Sequence, residues 1–256
     1  MMSGMLGVAA LVGASVAGIA SVVRARAAAA AAAADFMKGE ERVYVVTGGN
    51  RGIGKAIATQ LAGFSDKWVV VVTARSEKAA QEAVAEIGES AGAVGRVHGV
   101  VADVTDADGP GKVVEYLNQT LEGRCDGLVN NAGVFLEAVG STLDDVTVET
   151  MRATYEVNVF GVLAMTKALL PLMVANGFGR IVTVGSRAGQ ITDMTAGGGW
   201  FMAYRSSKAA VNKVVRNFAF HIANDPAYAG VDITCNVCCP GFIVRFPIRA
   251  RARMCV

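Results

Sequence analysis

Apolar residues recur along this chain in two rhythms. Short β-branched or aromatic runs alternate with longer stretches whose apolar positions return every three or four residues. The first run, Val43, Tyr44, Val45 and Val46, is apolar at every position, as a strand covered on both faces requires. A glycine-rich turn follows, then a segment with Ile53, Ile57 and Leu61 on one helical face. The alternation continues to the end. Strands are predicted over 43–47, 68–73, 97–101, 126–130, 179–185 and 231–237, and helices over 52–62, 77–87, 110–121, 145–170 and 203–223. Strand and helix in turn predict an α/β domain, a doubly wound parallel sheet with helices on both faces and right-handed crossovers.

Composition narrows this picture. The chain has 256 residues, 53% of them hydrophobic, which suits one α/β domain over 42–244. A net charge of +2 with no long basic stripe argues against nucleic acid as a partner. Five cysteines are few, and a second C-x-x-C is missing beside Cys235 and Cys238; with only His98 and His221 to add, the thiols read as neutral or buried, with no metal site and no disulfide scaffold. A reducing compartment is then the default.

Residues 1–41 form a different kind of sequence. Positions 5–23 are uncharged and just long enough to span a bilayer, Arg24 and Arg26 close them, and alanines run over 27–34. A membrane anchor with its C-terminal side in the cytosol, a cleaved signal or organelle transit segment, and a low-complexity disordered leader all remain open. Accordingly the expected placements are the cytosolic face of a membrane, an organelle, or the cytoplasm. Residues 245–256 make an arginine-rich tail.

Candidate chemistry sits at the strand ends. Thr47, Gly48, Asn50, Arg51, Gly52, Ile53 and Gly54 lie between the first strand and the first helix. Glycines there allow a tight turn and close approach to a phosphate, and the helix N-terminus offers free N–H groups to a pyrophosphate. Asn130, Asn131, Ala132 and Gly133 end a later strand, and Ser186 ends another; Asn158 lies between them in a helical stretch. Tyr204 and Lys208 are four residues apart, so one helical face carries both a phenol and an ammonium. An ammonium beside a phenol favours the phenolate, which suits general acid–base work.

The order T-G-x-x-x-G-x-G, N-N-A-G, Ser186 and Y-x-x-x-K resembles the short-chain dehydrogenase/reductase family over roughly residues 42–241. The stretches 64–68 and 71–75 are similar to its carbonyl reductase branch. The resemblance implies a Rossmann-type fold and an oxidoreductase that interconverts a carbonyl and an alcohol on a small-molecule substrate. It implies that Tyr204 donates a proton while a nicotinamide donates hydride, that Lys208 assists Tyr204 and binds ribose hydroxyls, that Ser186 orients the carbonyl, and that Asn158 holds a water in a proton relay. Asp103 would meet the adenine, its local alternative being an Asx turn; Asn130, Ala132 and Gly133 would line the adenosine side; Pro240 and Gly241 match the family's P-G after the last strand. Homo-oligomers are common in the family.

Cofactor choice has its own argument. A carboxylate at the end of the second strand would mark NAD, but Thr73 and Ala74 lead to Arg75. Arg51 and Arg75 suit a 2′-phosphate, which predicts NADP(H). Two departures stand out. The loop between Ser186 and Tyr204, with glycines at 197–199, is longer than usual in the family. Arg245 stands near the place of a threonine that contacts the carboxamide, and the substrate-covering helices and last strand expected beyond it do not follow. An impaired NADP(H)-binding protein or truncated isoform is therefore the alternative reading, and a reductase of carrier-bound acyl chains a third.

Overall fold

The computed structural model describes residues 40–138, 142–192 and 201–241. The leader up to residue 39, Arg245, the glycines at 197–199 and the tail 245–256 lie outside the described residues.

Strands β1 (Arg42–Val46), β2 (Trp68–Ala74), β3 (Val97–Val101), β4 (Gly127–Asn130), β5 (Phe178–Val184) and β6 (Asp232–Cys238) pair in the order β3-β2-β1-β4-β5-β6. Every pairing is parallel. Helices α1 (Gly52–Phe64), α2 (Glu77–Ala91), α3 (Gly109–Thr120), α4 (Val148–Tyr155), α5 (Gly161–Ala175) and α6 (Met202–Asn224) connect them. This is the expected doubly wound α/β sheet, with strand boundaries within a residue or so of those predicted.

The register explains why the strands read as apolar on both faces. Val45 pairs with Val71 and with Leu128, Leu128 with Ile181, and Ile181 with Cys235, making one transverse row. That row faces Val113 and Leu117 of α3, Met165 and Leu169 of α5, and Val211 and Val215 of α6. One residue along, Val46, Val72 and Val129 turn to the other face and meet Ala58 and Ala62 of α1 and Ile87 of α2. Cys235 is thus a core residue; burial pushes its thiol up to about 12.

The expected face of α1 packs on the core through half-buried Ile57 and Leu61, and its most buried line is Gly54, Ala58 and Ala62 beside them. Small residues let the helix approach the sheet closely, so the large apolar positions end up at its sides. One expectation is corrected. The predicted 145–170 helix begins at Val148, where the Thr147 hydroxyl caps the Thr150 N–H, and it runs through Pro171 to Ala175. Leu170 and Met173 are buried on either side of that proline, and their packing outweighs the missing hydrogen bond. Between α4 and α5 the chain widens into a π turn, Glu156–Phe160.

The amino ends of β1 and β4 are fastened by Asp126, which is 1% exposed. Its carboxylate accepts from the Val43 N–H at 2.8 Å, from Arg42 at 2.9 Å and from Arg124 at 2.8 Å.

Candidate active site

β1 lies between β2 and β4, so the loops leaving β1 and β4 diverge to opposite sides of the sheet. The crevice at such a reversal is where open α/β sheets bind ligands. The loop after β1 is stitched to both neighbours. Gly48 N donates to the Thr73 hydroxyl at 3.1 Å, and Gly49 N to the Thr73 carbonyl at 3.2 Å. The Thr47 hydroxyl is buried and accepts the N–H groups of Asn131 and Ala132, both at 3.0 Å. Asn131 in turn donates its amide to the carbonyls of Thr47 at 2.9 Å and Gly48 at 3.2 Å. Thr47 therefore shapes the loop from within.

The turn fits a phosphate-binding loop. Gly48 and Gly52 hold φ of 60° and 57°, the left-handed region. At Gly54 a Cβ would collide with Asn131 Nδ2 and the Gly48 carbonyl, so the helix start can come this close only with glycine. Ile53 is half-buried in the first turn of α1, and Asn50 is half-buried in the turn before it. Arg51 precedes α1 with an extended backbone, and Arg75 follows β2; both side chains are exposed. The bonds to Thr73 hold Gly48 and Gly49 against the end of β2, so Arg51 and Arg75 each follow that junction by two residues.

The second half of the crevice gathers the other candidates. Asn158 occupies the π turn and is 1% exposed. Its Oδ1 accepts from Val134 N at 2.8 Å, and its Nδ2 donates to the Val134 carbonyl and to Ser207 Oγ, both at 3.0 Å. Ser207 lies between Tyr204 and Lys208 on α6. Lys208 Nζ donates to the Val184 carbonyl at 2.9 Å and stands 5.7 Å from the centre of the Tyr204 ring. Burial lowers the Lys208 ammonium to about 8, against a smaller opposing influence of Cys239. A Cβ on Gly133 would sit 3.3 Å from Asn158 Oδ1 and 3.8 Å from Lys208 Nζ, so Gly133 keeps the gap between those two polar atoms open.

Ser186 follows β5 and caps a 3-10 turn, Arg187–Gly189, by accepting from Ala188 N at 3.1 Å. Accepting there leaves the hydroxyl proton available for donation. Asp103 adopts the Asx turn, accepting from Thr105 N at 3.0 Å and Thr105 Oγ1 at 2.8 Å. Asn130 is buried and donates to Thr166 Oγ1 at 3.1 Å, tying β4 to α5. Ala132 meets the Thr47 hydroxyl through its backbone. Pro240 and Gly241 leave β6 beside the end of β5, where Gly185 N donates to the Cys238 carbonyl at 2.8 Å. Gly241 has a φ of 77°.

Sequence reasoning names Thr73 and Asn131 but not their role, which is to brace the first loop; Glu137 it misses altogether. Glu137, 8% exposed, lies in the loop after β4, and its carboxylate accepts the N–H groups of Ala203 and Tyr204 at 2.9 Å each. An acid directly after the apolar Val134, Phe135 and Leu136 was the available signal.

A parallel sheet with a glycine-braced loop at its reversal, facing a helix that carries tyrosine and lysine on one turn, defines a dinucleotide-dependent oxidoreductase. The family model for short chain dehydrogenases matches residues 42–253, and the chain belongs to that family. The 3-oxoacyl-(acyl-carrier-protein) reductase of Escherichia coli is 35% identical over 207 residues, 81% of this chain and 75% of the relative. Dehydrogenase/reductase SDR family member 7B of the rat is 31% identical over 78% of this chain and 58% of its own length. Among solved structures, L-sorbose reductase from Gluconobacter frateurii, complexed with NADPH and L-sorbose, matches with a TM-score of 0.68 and 28% identity over 80% of this chain and 71% of that one. The Pseudomonas aeruginosa RhlG/NADP complex matches with a TM-score of 0.64 and 31% identity over 80% and 73%.

Proposed function

We propose that this chain is an NADPH-dependent reductase of aldehydes or ketones, with Tyr204 as the proton donor. The observation that carries the reading is the buried Lys208, anchored to Val184 and one helical turn from Tyr204. Bound NADPH supplies the hydride. Reduction builds negative charge on the carbonyl oxygen, and donors already in place stabilise it at little reorganisation cost. In this reading the Ser186 hydroxyl donates to that oxygen and orients it, and the Tyr204 hydroxyl delivers the proton. The Lys208 ammonium stands one helical turn from that phenol, and burial loosens its hold on its own proton, so it can pass one on. Asn158 holds the π turn against Val134 and Ser207, and so fixes the wall behind Lys208; the gap at Gly133 is where a relay water between Asn158 and Lys208 would lie.

The preference for NADPH rests on Arg51 and Arg75, two exposed guanidinium groups after β1 and β2, and on the lack of a carboxylate at the end of β2. Guanidinium pairs well with a 2′-phosphate. The sorbose reductase and RhlG complexes, which hold NADPH and NADP, are in keeping with it. Asn50, Gly52 and Ile53 would border the pyrophosphate, and Asp103, Asn130 and Gly133 the adenosine side. Pro240 and Gly241 would border the nicotinamide side.

A second reading, a reductase of carrier-bound 3-oxoacyl chains, is favoured by the E. coli relative. One experiment addresses both. Purified protein is given NADPH or NADH with a panel of aldehydes, ketones and an acetoacetyl thioester, and absorbance of the reduced cofactor is followed. Turnover with NADPH that falls about 10²- to 10⁴-fold in Tyr204→Phe, to a measurable residue, supports the reductase, and preference for the thioester supports the second reading. A folded protein that binds cofactor and turns over nothing overturns both. An Arg51→Ala, Arg75→Ala pair should weaken NADPH by about 10- to 100-fold and NADH much less; equal loss would sink the NADPH assignment.

A further inference from the structure

We propose that Glu137 is a positioning residue for Tyr204, a remote cap that sets where the proton-donating phenol stands. The inference rests on the reading of Tyr204 as proton donor.

Helix α6 begins without the usual provision. Its first N–H groups need acceptors, normally a Ser, Thr, Asp or Asn side chain at the residue before the helix. Here that residue is Phe201, which has no side-chain oxygen and sits in the left-handed region at φ 73° and ψ 51°. The acceptors come instead from Glu137. One oxygen takes the Ala203 N–H and the other takes the Tyr204 N–H. The two residues lie 66 and 67 positions away, so the carboxylate bridges the loop after β4 to the catalytic helix. Both oxygens aim at the positive end of a 23-residue helix, where a negative charge is favoured.

The same loop also grips the Tyr204 ring. Phe135, two residues before Glu137, sets its ring edge-on to Tyr204 at 5.0 Å and to Phe201 at 4.7 Å. On the other side, Ser207 Oγ donates to the Tyr204 carbonyl at 2.7 Å. Tyr204 is therefore held at its nitrogen, its ring and its carbonyl, and Glu137 supplies the first of these holds. The carboxylate is already committed to two amides, so it works through Tyr204 and is not itself a proton donor to substrate. Misplacing a reacting group by about 1 Å can lower a rate on the order of 10²-fold, which makes such a hold consequential for turnover.

The test is a double-mutant cycle on kcat combined with amide exchange. Glu137→Ala should lower kcat about 10- to 100-fold, and Glu137→Gln, which keeps one acceptor oxygen, less. NADPH affinity, read by fluorescence titration, should stay within about twofold. In a Tyr204→Phe background, Glu137→Ala should cause no further loss, since it acts through the phenol. Equal loss in both backgrounds would reduce Glu137 to a general structural cap and overturn the proposal. Should Glu137→Ala fail to fold, Glu137→Gln carries the cycle. Exchange at one of the Ala203 and Tyr204 amides, the one whose acceptor oxygen becomes an NH2, should rise at least about tenfold in Glu137→Gln, measured without substrate. Unchanged exchange overturns the clamp even if the wild type proves to have no turnover, so failure of the clamp and failure of the reductase reading are told apart.

Discussion

Asn158 donates its side-chain amide to the Ser207 hydroxyl at 3.0 Å, and Ser207 hands its own proton to the Tyr204 carbonyl at 2.7 Å. A polar thread thus runs from the π turn to the middle of the Tyr204–Lys208 step. Asn158 also satisfies both backbone groups of Val134, so it joins three segments: the loop after β4, the π turn and α6. Single π turns inside helices are rare and occur frequently at functional sites.

The first prediction follows from that arrangement. Asn158→Ala orphans the Val134 N–H and carbonyl as well as Ser207, and should lower stability by about 2–4 kcal/mol. Ser207→Ala removes one link only and should cost about 1 kcal/mol. Urea denaturation followed by circular dichroism measures both. Equal costs would mean that the Val134 contacts contribute nothing.

What the sequence reveals divides along physical lines. The strands, the first glycine turn and the spacing of Tyr204 and Lys208 are legible because each depends on residues within a few positions: apolar runs, glycine conformation, helical periodicity. Elements that depend on distant partners are hidden. The π turn at Glu156–Phe160 has no local signature, since Asn158 is drawn inward by Val134 and Ser207. The closeness of α1 to the sheet buries Ala58 more deeply than Ile57, which local periodicity does not show. The role of Glu137 depends on Ala203 and Tyr204, 66 and 67 positions away, so its own neighbours in the sequence do not disclose that role. Asp103 and Ser186 take the local turns that their residue types favour anywhere, and only their neighbours suggest more.

Lys208 gives a pH dependence with a definite sign. Burial lowers its ammonium from an ordinary 10.5 to about 8 in the folded protein. Below pH 8 folded and unfolded chains both carry the proton, and the fold bears the full cost of the buried charge. Between about 8 and 10.5 the folded form sheds the proton while the unfolded form keeps it, so stability should rise with pH across that window. Cofactor-free wild type should gain about 1–3 kcal/mol relative to Lys208→Met between pH 7.5 and 10. Denaturant titrations at the two pH values measure this. A parallel response in both proteins would place the lysine proton elsewhere.

Gly54 should be among the least replaceable residues of the loop. A Cβ there meets Asn131 Nδ2 and the Gly48 carbonyl, and neither can withdraw, because Asn131 is bonded to both Thr47 and Gly48. Gly54→Ala is expected to cost about 2–4 kcal/mol and to weaken NADPH binding at least about tenfold. Gly52→Ala, where a Cβ meets nothing, should cost only the strain of its left-handed φ, about 1 kcal/mol. Melting temperature and cofactor titration on the pair distinguish steric conflict from backbone strain.

Asp126 sets the remaining prediction, about stability away from the crevice. Its buried carboxylate accepts from Val43 N, Arg42 and Arg124, and its own backbone continues the sheet: Asp126 N donates to the Val43 carbonyl at 2.8 Å and Arg180 N to the Asp126 carbonyl at 2.9 Å. Removing one partner of such a pair leaves buried polar groups unmatched, which typically costs 3–5 kcal/mol. Asp126→Ala should therefore lose about 3–5 kcal/mol, a large share of the roughly 5–15 kcal/mol of an ordinary domain. Asp126→Asn retains one acceptor for Val43 N and should lose about half as much. Arg124→Ala, on the more exposed side of the cluster, should lose no more than about 1 kcal/mol. Because the cluster lies at the amino ends of β1 and β4, opposite the crevice, the surviving folded fraction of Asp126→Asn should bind NADPH with wild-type affinity. A loss of affinity in step with the loss of stability would show that the two ends of the sheet are energetically coupled.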